Sequence, residues 1–505
     1  MTHLIIAPIL VPAIIGALTL LRTARHTLLG RGLSLGSTIV QVAAALALFA
    51  EASTGTIRTY ALGGWAAPFG VVIVLDRLSA MMLLLTGLLA LGVLVHAVLT
   101  GLDRRGWHFH PLFQFQLLGL NGAFLTGDLF NLFVFFEVLL IASYGLMLHG
   151  QGGARLQAGM QYVIVNLVGS TLFLIAAGIL YGVTGTLNMA DLALRIGAAP
   201  PGDQPLIRVG AQLLIAVFAL KAALLPLHLW LPRTYANTSA PVAALFAILT
   251  KVGVYSILRL TTLAFGENAG AVAWAPAGWM LPAALLSLLA GFLGVLAARR
   301  LRLLAAFGVI GSTGTLLSAI ALFEPDATAA ALYYLPHSTL SGALLFLVAD
   351  TIGRARKRED DRLEPDRPFA GMGQLSLLFL LSAIALAGLP PFSGFIGKLL
   401  ILTAAEGSAA APWIWAAILI GTFLALFGLA WAGTMLFWKT TAEEELASSS
   451  WRKAATIPAW GVFFLLAALT VFAGPATRYA EATAQQLFAP EAYVAAVLGP
   501  EGSGR

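Results

Sequence analysis

Apolar residues in this chain come in runs of about 20, long enough to cross the hydrocarbon core of a bilayer as a helix. The runs fall near 3–21, 32–50, 76–99, 112–127, 129–149, 158–181, 206–231, 241–263, 275–297, 302–323, 328–352, 374–404, 411–437 and 455–474. They predict an all-α polytopic membrane protein of about 14 transmembrane helices. Only Gly127 and Asp128 separate the fourth run from the fifth, and the twelfth is long and interrupted by Gly388, Pro390 and Pro391. The first run, HLIIAPILVPAIIGALTLL, has no charged leader or small-residue cleavage site, so it reads as a membrane helix rather than a removable signal.

Composition agrees with the pattern. The chain is 59% hydrophobic and 10% charged, whereas a globular domain carries about 25% charged residues. With no cysteine, a disulfide framework, an iron–sulfur cluster and a Cys-based zinc site are excluded. The net charge of +6 is not a nucleic-acid signature, because the basic residues lie in loops between spans. Loops after odd-numbered spans hold most of them, including Arg104, Arg105, Arg299, Arg300, Arg302 and the cluster Arg354 to Arg367. The opposite side has few, among them Arg58, Arg195 and Arg259. This asymmetry puts both termini outside and the basic loops in the cytoplasm. The run RARKREDDRLEPDRP (354–368) reads as a solvated loop with self-compensating charges or as a docking surface for a partner. The tail after Pro490 reads as frayed.

Against this background the polar residues inside spans stand out. There are six lysines, and three of them, Lys221, Lys251 and Lys398, fall within apolar runs. A lysine at a bilayer helix centre costs about 2.5–3.5 kcal/mol on insertion scales, so each is a functional-site candidate. Pro226 cannot donate to the carbonyl of Ala222, and Pro390 and Pro391 leave the carbonyls of Leu386 and Ala387 without donors. Both helices, the seventh and the twelfth, are therefore expected to be discontinuous. They lie five spans apart and so cross in opposite directions, as inverted repeats with broken helices at the ion site would.

Glu137, in LFNLFVFFEVLLIASYGLM, is the one carboxylate deep within a strongly apolar run. Desolvation favours the neutral form of an isolated buried charge, whereas a Glu–Lys pair keeps both partners charged. Separating such a pair lets the lysine release its proton, a transfer device that needs no cofactor; the alternative is a salt bridge that only fixes packing. His337, among Ser338, Thr339 and Ser341, suits a proton relay. His228, just past Pro226, is an accessory candidate. His108 and His110 lack the companions of a metal site. Asp76, Asp128 and Asp350 read as residues at helix ends, solvated at the interface.

These segments together resemble the antiporter-like membrane subunits shared by respiratory complex I, membrane-bound hydrogenases and Mrp-type cation/proton antiporters. The resemblance covers nearly the whole chain. It is carried by GDLFNLFVFFEVLLIASYGLM, KAALLPLHLWLPRTYANTSAPVAALFAILTKVGVYSILR, YYLPHSTLSGALLFLVAD and GLPPFSGFIGK. Length, the lack of a long C-terminal extension and a lysine at 398 are similar to the D-type members of the Mrp group.

The resemblance implies three N-terminal helices (1–111), two inverted five-helix repeats (112–265 and 266–440) and a last helix with its tail (441–505). It implies that Glu137 and Lys221 form the charge pair, that Lys251 and His337 continue a central axis, and that Lys398 faces the exit. The function it implies is proton translocation within a multisubunit monovalent cation (Na+)/H+ antiporter of a bacterial cell membrane, without cofactor or metal. Partners would be subunits of the A, B, C, E, F and G types. The alternative is a proton-pumping subunit of a complex I-type oxidoreductase or membrane-bound hydrogenase. A two-half solute carrier would place its main loop after the sixth span rather than the eleventh. A membrane enzyme lacks any nucleophile–base pair or phosphate loop to support it, and a pure scaffold would tolerate leucine at all three lysines.

Overall fold

The computed structural model describes residues 2–22, 27–356, 360–440 and 453–499. Its helices, in order, are α1 (Ala7–Arg22), α2 (Thr27–Ala52), α3 (Arg77–Leu99), α4 (Phe109–Leu125), α5 (Leu129–Leu148), α6 (Gly153–Thr184) and α7 (Met189–Gly197). Then come α8 (Gln204–Lys221), α9 (Trp230–Asn237), α10 (Ala240–Phe246), α11 (Leu249–Leu263), α12 (Ala277–Ala297), α13 (Leu301–Ile320) and α14 (Pro325–Arg356). The chain continues through α15 (Met372–Ala387), α16 (Ser393–Ala405), α17 (Ala411–Gly433), α18 (Ile457–Val471), α19 (Ala473–Phe488) and α20 (Pro490–Leu498).

Among the described residues, 12 helical segments are long and apolar enough to cross a membrane. Of the remaining expected spans, the fourth is the 17-residue α4 and the twelfth is the shorter pair α15 and α16. Burial sorts the helices. Those presenting Leu, Ile, Val and Phe outward, such as α2, α6, α12 and α17, have less than half of their apolar stretch inside the protein, as helices facing lipid should. The α10–α11 unit, α13 and α14 are almost wholly enclosed. These three carry Lys251, Thr313 and His337, so these polar residues sit where neighbouring helices, not lipid, surround them.

Several features differ from the expectations. A short antiparallel ribbon, β1 (Arg58–Ala61) with β2 (Val72–Leu75), precedes α3 in the register Arg58↔Leu75 to Ala61↔Val72. The tail is not frayed up to residue 499: α19 packs on α14 and α11, α20 packs on α7, and Tyr493 is buried. Asp76 is no solvated edge. It caps α3 through a reciprocal pair of bonds with Ser79, a motif worth about 1 kcal/mol, and it is buried against Arg259 at 2.6 Å. Asp350 lies inside α14 and meets His96 at 2.9 Å and Arg354 at 2.6 Å. Asp128 does cap its helix, accepting from the Asn131 amide at 2.9 Å.

The described part of the basic loop is packed rather than merely solvated. Residues 357–359, including Lys357, lie outside the described residues. Asp361 is buried and bonds Arg300 and Arg302 at 2.8 and 2.9 Å. Burial alone would raise its carboxyl, but the two guanidiniums hold it below the ordinary carboxylate range. In the turn between α3 and α4, burial likewise opposes ionisation of Asp103, yet bonds from His110 and Arg31 outweigh it and hold the carboxyl at about 2. His110, in the first turn of α4, has a carboxylate as its partner.

Candidate functional site

α8 stops at Lys221, and the chain runs irregularly through 222–229 before α9 begins. Pro226 has no N–H to offer the carbonyl of Ala222. The freed backbone is held from outside: the Trp230 indole donates to the Leu220 carbonyl at 3.1 Å and the Leu225 amide donates to Ser287 Oγ at 2.7 Å. α11 crosses this end so closely that a Cβ on Gly253 would lie 2.6 Å from the Ala222 nitrogen and 3.0 Å from the Lys221 carbonyl carbon. Only glycine fits that crossing. Lys221 thus occupies the last turn of α8, where unpaired carbonyls favour a cation, and it is buried.

The Lys221 ammonium donates to Asn166 Oδ1 at 2.9 Å. Glu137, half-buried on α5 rather than deep in the protein, accepts from the Ser170 hydroxyl. Asn166 and Ser170 stand one turn apart on α6 and share a face. Glu137 and Lys221 therefore form a gapped pair. Each is held by its own α6 side chain, and the carboxylate still acts electrostatically on the ammonium.

Lys251 is completely buried in α11. Its ammonium reaches Thr313 Oγ1 at 3.1 Å and Thr250 Oγ1 at 3.4 Å, with no carboxylate among its described partners. His337 is buried in α14 and bonds Ser393 Oγ through Nδ1 at 2.9 Å, while its Nε2 has no aligned partner. It lies within electrostatic reach of both Lys398 and Lys251. Ser338 and Thr339 bond back to the Leu335 carbonyl of their own helix at 3.0 and 2.9 Å, and neither hydrogen-bonds a lysine among the described residues.

The second break separates α15 from α16. Gly388 ends α15 in the left-handed region at φ +73°, and Pro390 and Pro391 follow. A Cβ at Gly388 would lie 2.9 Å from Lys398 Cδ, so the glycine provides both the turn and the room. The ammonium of Lys398 donates to the Ala387 carbonyl at 2.8 Å, the group Pro391 leaves without a donor, and to Thr422 Oγ1 at 2.7 Å. It also lies 5.3 Å from the centre of the Phe292 ring. Ser393 opens α16 and its amide donates to Thr470 Oγ1 at 2.8 Å.

Residues around the series are less committed. His228 lies in the irregular stretch after Pro226, half-buried, with Nδ1 unpartnered. No group of three or more His, Asp or Glu suited to a metal occurs among the described residues. The side chains that hold the series, namely Asn166, Ser170, Thr313, Ser393 and Thr422, do not stand out in the sequence as site residues. A signal for the first two is there: an amide and a hydroxyl four residues apart in the apolar QYVIVNLVGSTLFL.

Comparisons with known proteins bear on this arrangement. The family described as "NADH:quinone oxidoreductase/Mrp antiporter, TM" matches residues 126–428, which span both breaks. The D component of a probable K(+)/H(+) antiporter of Rhizobium meliloti (strain 1021) is 40% identical, over 99% of this chain and 98% of its own. The D component of the Na(+)/H(+) antiporter of Bacillus subtilis (strain 168) is 36% identical over 99% and 100%. A chain in the structure of the Mrp complex from Dietzia sp. DQ12-45-1b has a TM-score of 0.88 at 28% identity, covering 99% of this chain and 100% of that one. A chain of respiratory complex I from Thermus thermophilus has a TM-score of 0.78 at 26% identity, covering 96% and 99%.

Proposed function

The chain belongs to the NADH:quinone oxidoreductase/Mrp antiporter family, and from that membership we propose that protons cross it along Glu137, Lys221, Lys251, His337 and Lys398. It is a subunit of a multisubunit monovalent cation/proton antiporter, a transporter component rather than an enzyme, embedded in the membrane by many spans. The relatives' names include both sodium and potassium, so the exchanged ion is described by class. Its partners are the other Mrp-type subunits. The redox-driven alternative rests on the more distant complex I likeness.

The single observation that carries the reading is the gapped pair at the first break. A carboxylate and an ammonium are held apart by neighbouring α6 side chains, next to a helix end that cannot close. When the carboxylate approaches, the ammonium is stabilised; when it withdraws, the lysine is poised to pass on its proton. The next acceptors are Lys251, whose helix abuts the end of α8 at Gly253, then His337 and Lys398. The supporting division is residues 112–265 and 266–440 as two inverted units, each with one broken helix, after three N-terminal helices (1–111) and before the C-terminal part (441–505). The loop charges support both termini on the outer side.

Replacing Glu137 or Lys221 by alanine should abolish cation-driven proton movement in the assembled complex while leaving its subunits co-purifying. Full exchange by either assembled variant would end this reading.

A further inference from the structure

α11 carries a polar column that the lysine series does not use. Tyr255 and Arg259 follow Lys251 at successive intervals of four residues, so they share its face, and Arg259 lies about 12 Å from Lys251 along the axis. Tyr255 Oη donates to the Phe124 carbonyl at 2.7 Å, at the end of α4, and accepts from Arg259 Nη2 at 3.3 Å. Arg259 Nη1 then meets Asp76 at 2.6 Å. The guanidinium is clamped between the rings of Tyr255 and Tyr493, at 5.4 and 5.2 Å from their centres. Asp76 and Arg259 are both buried.

Two cavities approach this pair from the end of the bundle opposite the arginine-rich loops. The inner one, about 10 Å³, is lined by Asp76, Arg259, Thr262 and Gln486 and has room for one water. The buried Nε of Arg259 has no partner, the donor such a water would take up. The outer cavity, about 180 Å³, shares Thr262, Leu263 and Pro490 with the inner one and is walled by Glu267, Asn268 and Glu491. A polar approach therefore reaches one side of the ion pair, and the column to the central lysine begins on the other.

We propose that the Asp76–Arg259 pair is a seal: the fixed charge of Arg259 bars protons from leaving Lys251 directly to this face. Protons on Lys251 must then continue through His337 to Lys398. A pinned arginine excludes cations and protons from a polar passage by its own field. The inference rests on the reading of Lys251 as a proton carrier. An ion pair that only fixed packing would cost assembly when broken, without opening a passage.

The test is the proton leak of the complete complex in liposomes, under an imposed pH difference, with choline as the only cation and a permeant anion clamping the potential. Arg259→Gln should leak several-fold faster than the parent, Arg259→Lys should stay tight, and adding Lys251→Ala to Arg259→Gln should abolish the leak. An unchanged leak in assembled Arg259→Gln, or a leak that survives Lys251→Ala, overturns the seal. Should Arg259→Gln fail to assemble, labelling in a cysteine-free complex decides, since this chain has no cysteine. Thr262→Cys should react with a membrane-impermeant cationic thiol reagent, and Ser256→Cys, beyond the pair, should not. An unreactive Thr262→Cys, or equal reactivity at both, overturns the proposal. Failure of the functional reading shows elsewhere, as antiport that survives Glu137→Ala or Lys221→Ala.

Discussion

The two broken helices solve one problem with opposite geometry. In the first, the lysine precedes the break and ends α8; in the second, it follows the break and its side chain reaches back over Gly388. Lys221 has an amide at its ammonium and a carboxylate one α6 turn away. Lys398 has a backbone carbonyl, a threonine hydroxyl and an aromatic face. The proline that breaks the second helix also creates the lysine's acceptor, because Ala387 keeps a carbonyl with no amide to bond. Two lysines in similar surroundings can thus differ in kind. One has a counter-charge close by, and the other is held by two neutral oxygens and an aromatic face.

The comparison can be broken most severely at Lys398. Lys398→Leu should eliminate exchange in an assembled complex, measured as cation-induced collapse of a pH gradient in inverted vesicles. If exchange persisted, the second break would be a structural element and the two would not be comparable. A milder test removes the holder rather than the charge. Asn166→Leu deletes a hydrogen bond to a charged group, worth about 1.5–3 kcal/mol, and should slow exchange by about tenfold or more. It should also move the pH profile, which a packing defect would not do. Asn166→Gln should restore part of the rate. Thr422→Val should have a smaller effect, because the Ala387 carbonyl still holds Lys398.

Much of this is legible in the chain. The apolar runs set the spans, and lysine is so rare and so costly in lipid that three inside spans mark a site. The prolines at 226, 390 and 391 act locally, so the interruptions beside Lys221 and Lys398 follow from covalent structure. What is not legible depends on packing. Asn166 and Ser170 are neutral polar residues of the sort that commonly join membrane helices, and only the placement of α6 shows which charge each one holds. The expected contact between Glu137 and Lys221 is a gapped one for the same reason. Asp76 and Arg259 look like ordinary interfacial charges in the sequence because they are far apart in it. Tyr493 of α20 lies over Arg259, another contact between segments far apart in the sequence.

The central claim is that the Glu137–Lys221 gap changes during turnover. Infrared difference spectroscopy of the reconstituted complex, recorded as sodium or potassium is added across a pH gradient, reads the carboxylate directly. A carboxylate band should appear with turnover, vanish in Glu137→Gln and shift in Asn166→Leu. Exchange that proceeds with no band dependent on Glu137 would contradict the account.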